Sequence, residues 1–463
     1  MIVKDLAIIG GGPAGMSAAI EGVANGLSVV LVENARDLGG KVLKEKASYI
    51  NGNHGENNET KTRNELHRSF NRIKDDITLL KNSEVWNVSP DNIIDVFSAQ
   101  RPGQPSNSIK AKKLLIATGA VDRITPIPGW QLPGVFTIGG LNTFIKRGAI
   151  PGKRFVVGGT GPLQVALTYN LVKAGARVAA MIDVNSMFGM APVGIQLLTK
   201  GGLDKLSLGI KYLLRIRKER IPVYYSHAVT EVIGDDCVKH VIVSKVDSNW
   251  QRIAGTDIQL DANIVALGYN LIPAVDIARL LGCETSFNQN IGQWQVNHSE
   301  YMETSRNGIF VAGDGASVKG YDAAILEGRI AAIEVARQLG RVGGQKADQL
   351  TKQDRKKAKN ARYVGDAMSK TAMIKTGIFD SVTDETIVCR CEEVTYRDIR
   401  TAVANGARDL NDLKRRTRLG MGNCQGTFCG QVANELMWKA ARDNWPRSRF
   451  TVRQPLRPVP IGC

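Results

Sequence analysis

The sequence has no run of about 18 apolar residues, the length that a helix needs to cross a membrane, so no transmembrane span is predicted. It has no Cys-x-x-Cys motif, which excludes a redox-active disulfide of that kind. Its five histidines show no ligand-like or triad-like spacing, and none is predicted to act as a general base. The ordinary content of 43% hydrophobic and 23% charged residues excludes a disordered or collagen-like chain. What is left is a globular chain of 463 residues, long enough for two or three domains.

Acidic residues are outnumbered by lysine and arginine, 44 against 61, which gives a net charge of +17. Much of this excess follows Gly340, where 24 basic and 13 acidic residues occur. Nucleic-acid binding is one interpretation, but no nucleic-acid module and few interleaved aromatic residues accompany the charge. We favour a solvated basic helix and docking to acidic partner subunits, and nucleic acid is not a predicted partner.

The N-terminus predicts a strand, a glycine turn, a helix and a second strand, in that order. The turn is Gly10-Gly-Gly-Pro-Ala-Gly15, and the second strand ends at Glu33. This context is what a G-x-G-x-x-G dinucleotide motif requires. Gly10 permits the tight turn, Gly12 lets the backbone approach a pyrophosphate, and Gly15 lets helix and strand pack closely. Because Glu33 can accept hydrogen bonds from a ribose, the segment predicts a dinucleotide site.

A second unit of the same kind begins at Lys153, but its glycine turn departs from the motif. The turn is Gly158-Gly-Thr-Gly-Pro-Leu-Gln164, with Gln164 at the third glycine position. A bulky residue there should push the helix away from the strand. The residues alone are compatible with two interpretations of this unit, a working NAD(P)H site and a structural remnant of such a site. A remnant, or a site for another adenine nucleotide, is the interpretation we favour.

Four of the seven cysteines form two tight pairs, Cys389/Cys391 and Cys424/Cys429, which predicts a metal site in a reducing compartment. Four thiolates can hold Zn²⁺ or an iron–sulfur cluster, and bare thiols are the third alternative. Structural zinc usually has two to four residues between paired cysteines, so the Cys-x-Cys spacing is tight for zinc. Nearby glycines allow backbone N–H groups to turn toward sulfur. The arginines expected to stabilise a reduced cluster are Arg415, Arg416 and Arg418.

Several of these segments together carry a family likeness. The first glycine turn, Ala117-Thr-Gly119, the second turn and Gly313-Asp314 resemble the two-dinucleotide-domain flavoproteins, the fold of thioredoxin reductase and its relatives. The cysteine pairs resemble the bacterioferritin-associated-ferredoxin-like [2Fe–2S] domain. The likeness implies an α/β fold with two Rossmann-like, thioredoxin-reductase-type dinucleotide-binding domains and a small C-terminal [2Fe–2S] domain.

The resemblance also implies two cofactors, FAD and a [2Fe–2S] cluster. In that fold an aspartate like Asp314 hydrogen-bonds the ribityl or pyrophosphate part of FAD, the alternative being a turn aspartate that caps the next helix. Gly39-Gly-Lys41 lies where such proteins meet FAD again, but relatives often have glutamine in place of Lys41, which leaves its contacts open. The residues assigned to FAD are Gly10, Gly12, Pro13, Ala14, Gly15, Glu33, Asn34, Gly40, Lys41, Val85, Ala117, Thr118, Gly119, Gly313, Asp314 and Ala323. The residues assigned to the cluster are Cys389, Cys391, Cys424 and Cys429.

Over nearly its whole length the chain resembles the α (large FAD) subunit of heteromeric amino-acid dehydrogenases. That family includes the FAD-containing subunits of octopine/nopaline oxidase and of hydrogen cyanide synthase, and the α subunits of D-hydroxyproline and dye-linked L-proline dehydrogenases. The resemblance implies an FAD-dependent oxidoreductase subunit that takes electrons from a partner flavin subunit, which oxidises the substrate C–N bond. The alternatives are a self-sufficient NAD(P)H-dependent FAD/iron–sulfur reductase and an iron–sulfur scaffold or sensor with a structural flavin.

The implied assembly is a hetero-oligomer with an amino-acid-oxidase-like β subunit. The resemblance leaves open whether the assembly also contains a small ferredoxin-like subunit, FMN at a subunit interface and an adenine nucleotide in the second domain. We expect a cytoplasmic protein, with peripheral association at the inner face of the membrane left open. The predicted segments are an FAD-binding domain in two parts (1–125 and 286–340), a second dinucleotide-binding-like domain (126–285), a basic linker (341–383), a [2Fe–2S] domain (384–441) and a tail (442–463).

Overall fold

The computed structural model describes residues 2–44, 58–98, 107–187, 189, 191–199, 202–440, 445 and 447–460. The strands in these ranges are β1 (Ile2–Ile9), β2 (Val29–Val32), β3 (Thr78–Leu80), β4 (Ser83–Val88), β5 (Ile93–Ser98), β6 (Asn107–Ile116), β7 (Ala120–Asp122), β8 (Val135–Thr137), β9 (Arg154–Thr160), β10 (Arg177–Asp183), β11 (Val223–Tyr225), β12 (His227–Ile233), β13 (His240–Lys245), β14 (Ile258–Asp261), β15 (Ile264–Tyr269), β16 (Leu271–Pro273), β17 (Thr285–Asn288), β18 (Gln293–Val296), β19 (Ile309–Val311), β20 (Ile387–Cys389) and β21 (Val394–Thr395). The helices are α1 (Pro13–Ala24), α2 (Asn58–Ile73), α3 (Ile138–Lys146), α4 (Pro162–Lys173), α5 (Ala191–Thr199), α6 (Leu203–Lys218), α7 (Asp276–Leu280), α8 (Tyr321–Gln338), α9 (Gly344–Lys370), α10 (Tyr396–Ala404), α11 (Leu410–Thr417) and α12 (Cys429–Ala440).

The chain divides into two compact units, each built from separate stretches of sequence. The first unit contains Met1–Ala120, Ile272–Asp366 and Val452–Cys463. The second contains Val121–Leu271 and Ala367–Thr451. The limits of the predicted segments stay predictions.

The first unit is organised around a seven-stranded sheet in which β3, β2, β1 and β6 are adjacent and parallel. β19 pairs with the other side of β6, also in parallel, while β4 and β5 add an antiparallel extension. The central strands β1 and β2 are almost continuously apolar because both faces of this sheet are covered. One face packs against α1 and α8, so the glycine turn that follows β1 lies at the carboxyl edge of parallel strands.

The second unit contains a five-stranded parallel sheet in the order β11, β10, β9, β15 and β8. A three-stranded antiparallel sheet of β12, β13 and β14 belongs to the same unit. Its C-terminal part is small, a β20–β21 hairpin with α10, α11 and α12. Trp250 and Tyr269 share a buried core with Phe379 and the first and last of the four paired cysteines, Cys389 and Cys429. The cysteine-bearing segment is therefore anchored in the core of this unit.

None of the helices in the described ranges has the length and apolar character needed to cross a membrane. The longest, α9, spans 27 residues and is rich in lysine and arginine. The predicted basic helix is α9, but it is solvated on one side only, because Ala347 and Ala358 are buried in the core.

Two helix glycines provide a matched test of how closely α8 packs on α1. A Cβ added at Gly328 of α8 would collide with the Ala14 carbonyl oxygen of α1, whereas one added at Gly209 of α6 would meet nothing within 4 Å. Gly328→Ala should therefore cost about 1–3 kcal/mol through overpacking. Gly209→Ala should be neutral or stabilising by up to about 1 kcal/mol, since alanine is the better helix former. Melting temperatures from circular dichroism compare the two; equal values would contradict the close packing.

Candidate functional site

The first glycine turn is shaped by backbone contacts that leave no room for a side chain at Gly10 or Gly15. Gly10 has φ of +110°, and a Cβ there would collide with the Ala117 carbonyl oxygen. A Cβ at Gly15 would collide with the Gly10 carbonyl oxygen. Gly12 forms the N-cap of α1 without any side-chain hydrogen bond at the cap. The first-turn amides of α1 are thus the kind of uncapped donors that a pyrophosphate accepts.

Glu33, which is predicted to accept a hydrogen bond from a ribose, also binds the backbone of the first glycine turn. Its Oε2 accepts a hydrogen bond from the Gly11 amide at 2.6 Å, and its Oε1 accepts one from the Ala35 amide at 2.8 Å. The side chain is buried, with 8% of its surface exposed. A carboxylate has about four acceptor positions, so Glu33 retains capacity for a ribose hydroxyl while it fixes the loop.

The second glycine pair, Gly39-Gly40, lies directly against the first turn. The Gly39 amide donates to the Gly11 carbonyl oxygen at 2.9 Å. A Cβ at Gly12 would have the Gly40 Cα at 3.8 Å, an ordinary van der Waals contact. Asn34 and Lys41, on either side of this pair, are exposed. The structure therefore brings Gly40 next to Gly12 and leaves the two polar side chains at the surface.

Two other predicted segments, Ala117-Thr-Gly119 and Gly313-Asp314, converge on the same edge. A Cβ added at Gly313 would lie 3.1 Å from the Ala14 Cβ, and one added at Gly315 would lie 3.0 Å from Thr118 Oγ1. Thr118 Oγ1 donates to the Ala274 carbonyl oxygen at 2.8 Å, and the Ala274 amide donates to the Gly119 carbonyl oxygen at 2.9 Å. The β4 residue Val85 and the α8 residue Ala323 are buried.

Asp314 lies in the loop that leads into α8. Its Oδ1 accepts hydrogen bonds from the amides of Lys319, at 2.9 Å, and Gly320, at 3.0 Å. Burial is the main cause of its raised pKa, which these two hydrogen bonds oppose. Both bonds are compatible with a turn aspartate, so a contact between Asp314 and FAD stays a prediction.

Glu327, which was not predicted from the sequence, positions the glycine before Asp314. Its Oε2 accepts a hydrogen bond from the Gly313 amide at 2.7 Å, and its Oε1 accepts one from Arg362 Nε at the same distance. Glu327 lies on α8 and is 2% exposed. The only signal in the sequence is an acidic residue on the apolar face of a helix, because buried carboxylates almost always have partners.

The four predicted cluster thiols form two pairs. Cys391 Sγ and Cys424 Sγ are 3.7 Å apart, and Cys429 donates a hydrogen bond to Cys389. Two sulfurs bound at ~2.3 Å to one tetrahedral metal are about 3.8 Å apart, so the Cys391–Cys424 separation suits one metal atom. Across the described part of the chain no three His, Cys, Asp or Glu side chains converge on one ion. Two separate pairs fit the two irons of a [2Fe–2S] cluster better than a single zinc.

The two pairs differ in burial and in surroundings. Cys389 and Cys429 are 1% and 4% exposed, whereas Cys391 is exposed and Cys424 partly so. The hydrogen bond from Cys429, helped by amides including that of Gly420 and opposed by burial, lowers the pKa of Cys389 to about 6. Backbone donors to a thiolate also stabilise added negative charge on a cluster.

The glycine-rich segment 420–430, which contains Cys424 and Cys429, is covered by one aromatic ring that was not predicted from the sequence. A Cβ added at Gly420, Gly426 or Gly430 would lie 2.6–3.1 Å from the ring of Phe450. Gly420 and Gly426 also have φ of +77°. These glycines are thus needed for the close ring contact in addition to amide orientation. No short-range pattern in the sequence connects Phe450 to them.

The three arginines near the cysteines are compensated by acidic neighbours. Arg415 and Arg416 pair with Asp412, and Arg418 Nε donates to Glu392 at 2.8 Å. All three arginine side chains are 40% exposed or more. Their influence on a cluster is therefore smaller than expected from the sequence, since exposed paired charges are screened.

At the second glycine turn, the side chain of Gln164 donates a hydrogen bond to the neighbouring strand, which a glycine could not do. Its side chain is fully buried, and its Nε2 donates to the Ile182 carbonyl oxygen of β10 at 3.0 Å. Gln164 thus places a buried side chain at the position where the third glycine of a nucleotide motif allows close packing of helix and strand.

Comparisons with known proteins agree with this arrangement. A family model described as pyridine nucleotide-disulphide oxidoreductase matches residues 4–340, and one described as a BFD-like [2Fe-2S] binding domain matches residues 387–438. The chain belongs to the pyridine nucleotide-disulphide oxidoreductase family. It is similar to hydrogen cyanide synthase subunit HcnB of Pseudomonas protegens, with 31% identity over 98% of this chain and 96% of that protein. It is also similar to one of the subunits of the opine oxidase of Rhizobium meliloti (strain 1021), with 30% identity over 100% of this chain and 98% of that protein.

A solved structure shows the same fold over the full length of the chain. The crystal structure of L-proline dehydrogenase from P. horikoshii matches 100% of this chain and 79% of that chain, with a TM-score of 0.68 and 20% sequence identity. The predicted α/β fold class, with its C-terminal [2Fe–2S] domain, is confirmed, and so is the likeness to subunits of heteromeric amino-acid oxidising enzymes. The protein is an oxidoreductase whose cofactors are FAD and a [2Fe–2S] cluster.

The residues of the two sites fit both cofactors. Uncapped amides at the start of α1 and the free space beside Gly12 suit the pyrophosphate of FAD. The paired thiols suit two irons. The individual contacts assigned from the sequence stay predictions.

Gly12→Val should abolish FAD binding while the protein stays folded. The first added carbon meets only the Gly40 Cα at 3.8 Å, so the side chain grows into the space expected for the pyrophosphate rather than into the protein. The flavin released when the purified variant is denatured in acid measures the FAD content, because this treatment destroys the iron–sulfur cluster, which also absorbs near the flavin band at about 450 nm. Gly209→Val, at an open helix position, should retain full flavin content. A full amount of released flavin from Gly12→Val would refute the assignment.

Cys424→Ser should lose the cluster but keep FAD, because the two sites lie in different compact units. The parent protein should contain about two irons and two acid-labile sulfides per chain, as a [2Fe–2S] cluster requires. Cys237→Ser, at an exposed cysteine away from the four ligands, is the matched control and should keep both cofactors. Metal and sulfide analysis checks this. Zinc in place of iron, or undiminished iron in Cys424→Ser, would contradict it.

Proposed function

We propose that this chain is the electron-transfer subunit of a heteromeric amino- or imino-acid dehydrogenase or oxidase, taking electrons from a partner flavin subunit that oxidises the substrate C–N bond. The observation that carries the proposal is the union, in one chain, of a dinucleotide turn and two thiol pairs. Near full-length similarity to two oxidising-enzyme subunits supports it.

The partner's role is supported by the contacts of three of the five histidines. His67 Nε2, His227 Nδ1 and His298 Nδ1 each hydrogen-bond a backbone carbonyl oxygen, at 2.8, 2.7 and 2.8 Å. These contacts are structural. The sequence also has no Cys-x-x-Cys motif that could supply a redox-active disulfide. We therefore place the proton chemistry of substrate oxidation on the partner, an amino-acid-oxidase-like β subunit.

The residues of this chain bind and tune the cofactors. FAD, when bound, exchanges one or two electrons and a [2Fe–2S] cluster exchanges one. Glu33 fixes the glycine turn through the Gly11 amide, and Glu327 fixes Gly313. At the cysteines, the burial of Cys389 and Cys429 keeps water from one side of the cluster site.

The assembly is a hetero-oligomer, in keeping with relatives that are named as subunits. For the finer composition we propose one amino-acid-oxidase-like β subunit and, as additions to be tested on the purified complex, FMN at a subunit interface and a small ferredoxin-like subunit. Peripheral membrane association of that complex is part of the same proposal. The proposed substrate is an amino or imino acid of the opine, hydroxyproline, proline or glycine type.

Electron donors distinguish this function from a self-sufficient NAD(P)H reductase. The isolated holoprotein should not be bleached rapidly by NADH or NADPH, because the buried Gln164 stands where a nucleotide-binding turn has the glycine that lets helix and strand pack closely. Once the partner is present, an amino acid should reduce the flavin of this chain. Anaerobic stopped-flow absorbance measures both reactions. Fast bleaching by NADPH alone would establish the reductase, and an absence of partner-dependent reduction by any of the substrate class would overturn the proposal.

A further inference from the structure

The second dinucleotide-binding turn faces a segment of its own chain. The segment comprises residues 369–372, at the end of α9 and just beyond it; we call it the 369–372 segment. Ser369 and Ala372 within it are buried, with 6% and 3% of their surfaces exposed. It belongs to the same compact unit as the turn.

The contacts of this segment lie at the carboxyl ends of three parallel strands. Thr160, at the end of β9, donates from Oγ1 to the Thr371 carbonyl oxygen at 3.2 Å. Asn185, just after β10, donates from Nδ2 to the same oxygen at 2.8 Å. Asn270, just after β15, donates from Nδ2 to the Ser369 carbonyl oxygen at 3.4 Å. In open α/β sheets this edge is where a dinucleotide binds.

The segment also covers the glycine nearest to where a pyrophosphate would lie. Gly161 has φ of +89° and is the N-cap of α4 with no side-chain hydrogen bond at the cap. A Cβ added at Gly161 would be 3.4 Å from the Ala372 Cβ. A pyrophosphate needs close approach to such a glycine and to the helix N-terminus. Ala372 lies within van der Waals distance of that space.

Asn185 is held in place for this contact. Asp183 Oδ1 accepts a hydrogen bond from the Asn185 amide at 2.9 Å, and Asn185 Nδ2 also donates to Thr160 Oγ1 at 2.6 Å. Asp183 ends β10, the position where a ribose-binding acid stands in this type of fold, and it is buried. The carboxyl group therefore orients the asparagine that binds the 369–372 segment.

We propose that the 369–372 segment is an internal ligand of the second dinucleotide-binding domain, held over its glycine turn by Asn185 and Thr160, and that it excludes NAD(P)H and other adenine nucleotides from this site. The domain thereby serves as an attachment site for the chain that enters the cysteine-bearing segment. This goes beyond the proposed function, because it concerns a site that electron transfer from the partner does not require.

Hydrogen–deuterium exchange on the holoprotein tests the attachment. Asn185→Ala removes both side-chain hydrogen bonds of Asn185 and should raise amide exchange in peptides covering 366–375 by about fivefold or more, since each such bond contributes about 1 kcal/mol. Asn170→Ala, which removes a 3.0 Å bond to Asn142 elsewhere in the same unit, is the matched control and should leave these peptides unchanged. Equal exchange in the two variants would overturn the proposal.

The same measurement with NADPH tests the exclusion. In the parent protein, NADPH should not slow exchange in peptides covering 158–165, whereas protection there would overturn the proposal. Thr160→Val is a second variant for the attachment test, because it removes the Thr160 hydrogen bond to the segment with little change in side-chain size. It should also raise exchange in peptides covering 366–375, so the test does not depend on whether Asn185→Ala folds. FAD and iron contents of each variant should match the parent. Because exchange is measured without the partner, a failure of the proposed electron transfer would not alter these results.

Discussion

The first unit depends on backbone atoms that touch one another where helices and strands cross. At Gly10 the chain passes the Ala117 carbonyl oxygen, at Gly15 it passes Gly10, and at Gly328 the helix α8 meets the Ala14 carbonyl oxygen of α1. None of the three positions has room for one methyl group. This constraint places the α1 N-terminus at the sheet edge and makes its amides available to an anion. The buried carboxylates of Glu33 and Glu327 then fix the flanking loops.

Local pattern was sufficient to predict the parts of the site that are built from consecutive residues. The Gly10–Gly15 turn, with strand, helix and Glu33 in register, specifies its geometry within some 25 residues, so periodicity and motif context identify it. The same holds for the cysteine pairs, whose spacing carries the metal chemistry. These short-range signals reflect direct steric and ligand requirements.

Contacts between residues far apart in sequence could not be predicted in this way. Phe450 covers glycines some 20 to 30 residues before it, and Arg362 binds Glu327 from a different helix. The 369–372 segment lies about 200 residues from the turn that it covers. Such contacts are decided by tertiary packing, for which the sequence contains no fixed spacing. The effect expected of the arginines on a cluster was too large for the same reason. Their proximity to the cysteines was evident from the sequence, but their acidic partners were not.

The discontinuous first unit sets an order for folding during synthesis. Its sheet needs β19, around residue 310, to pair with β6, and α8 must arrive to cover α1. Until about 340 residues have left the ribosome, the apolar face of α1 therefore lacks its main packing partner, and the intervening second-unit stretch can begin to fold first. A nascent chain with such exposed apolar surface is a natural substrate for chaperones.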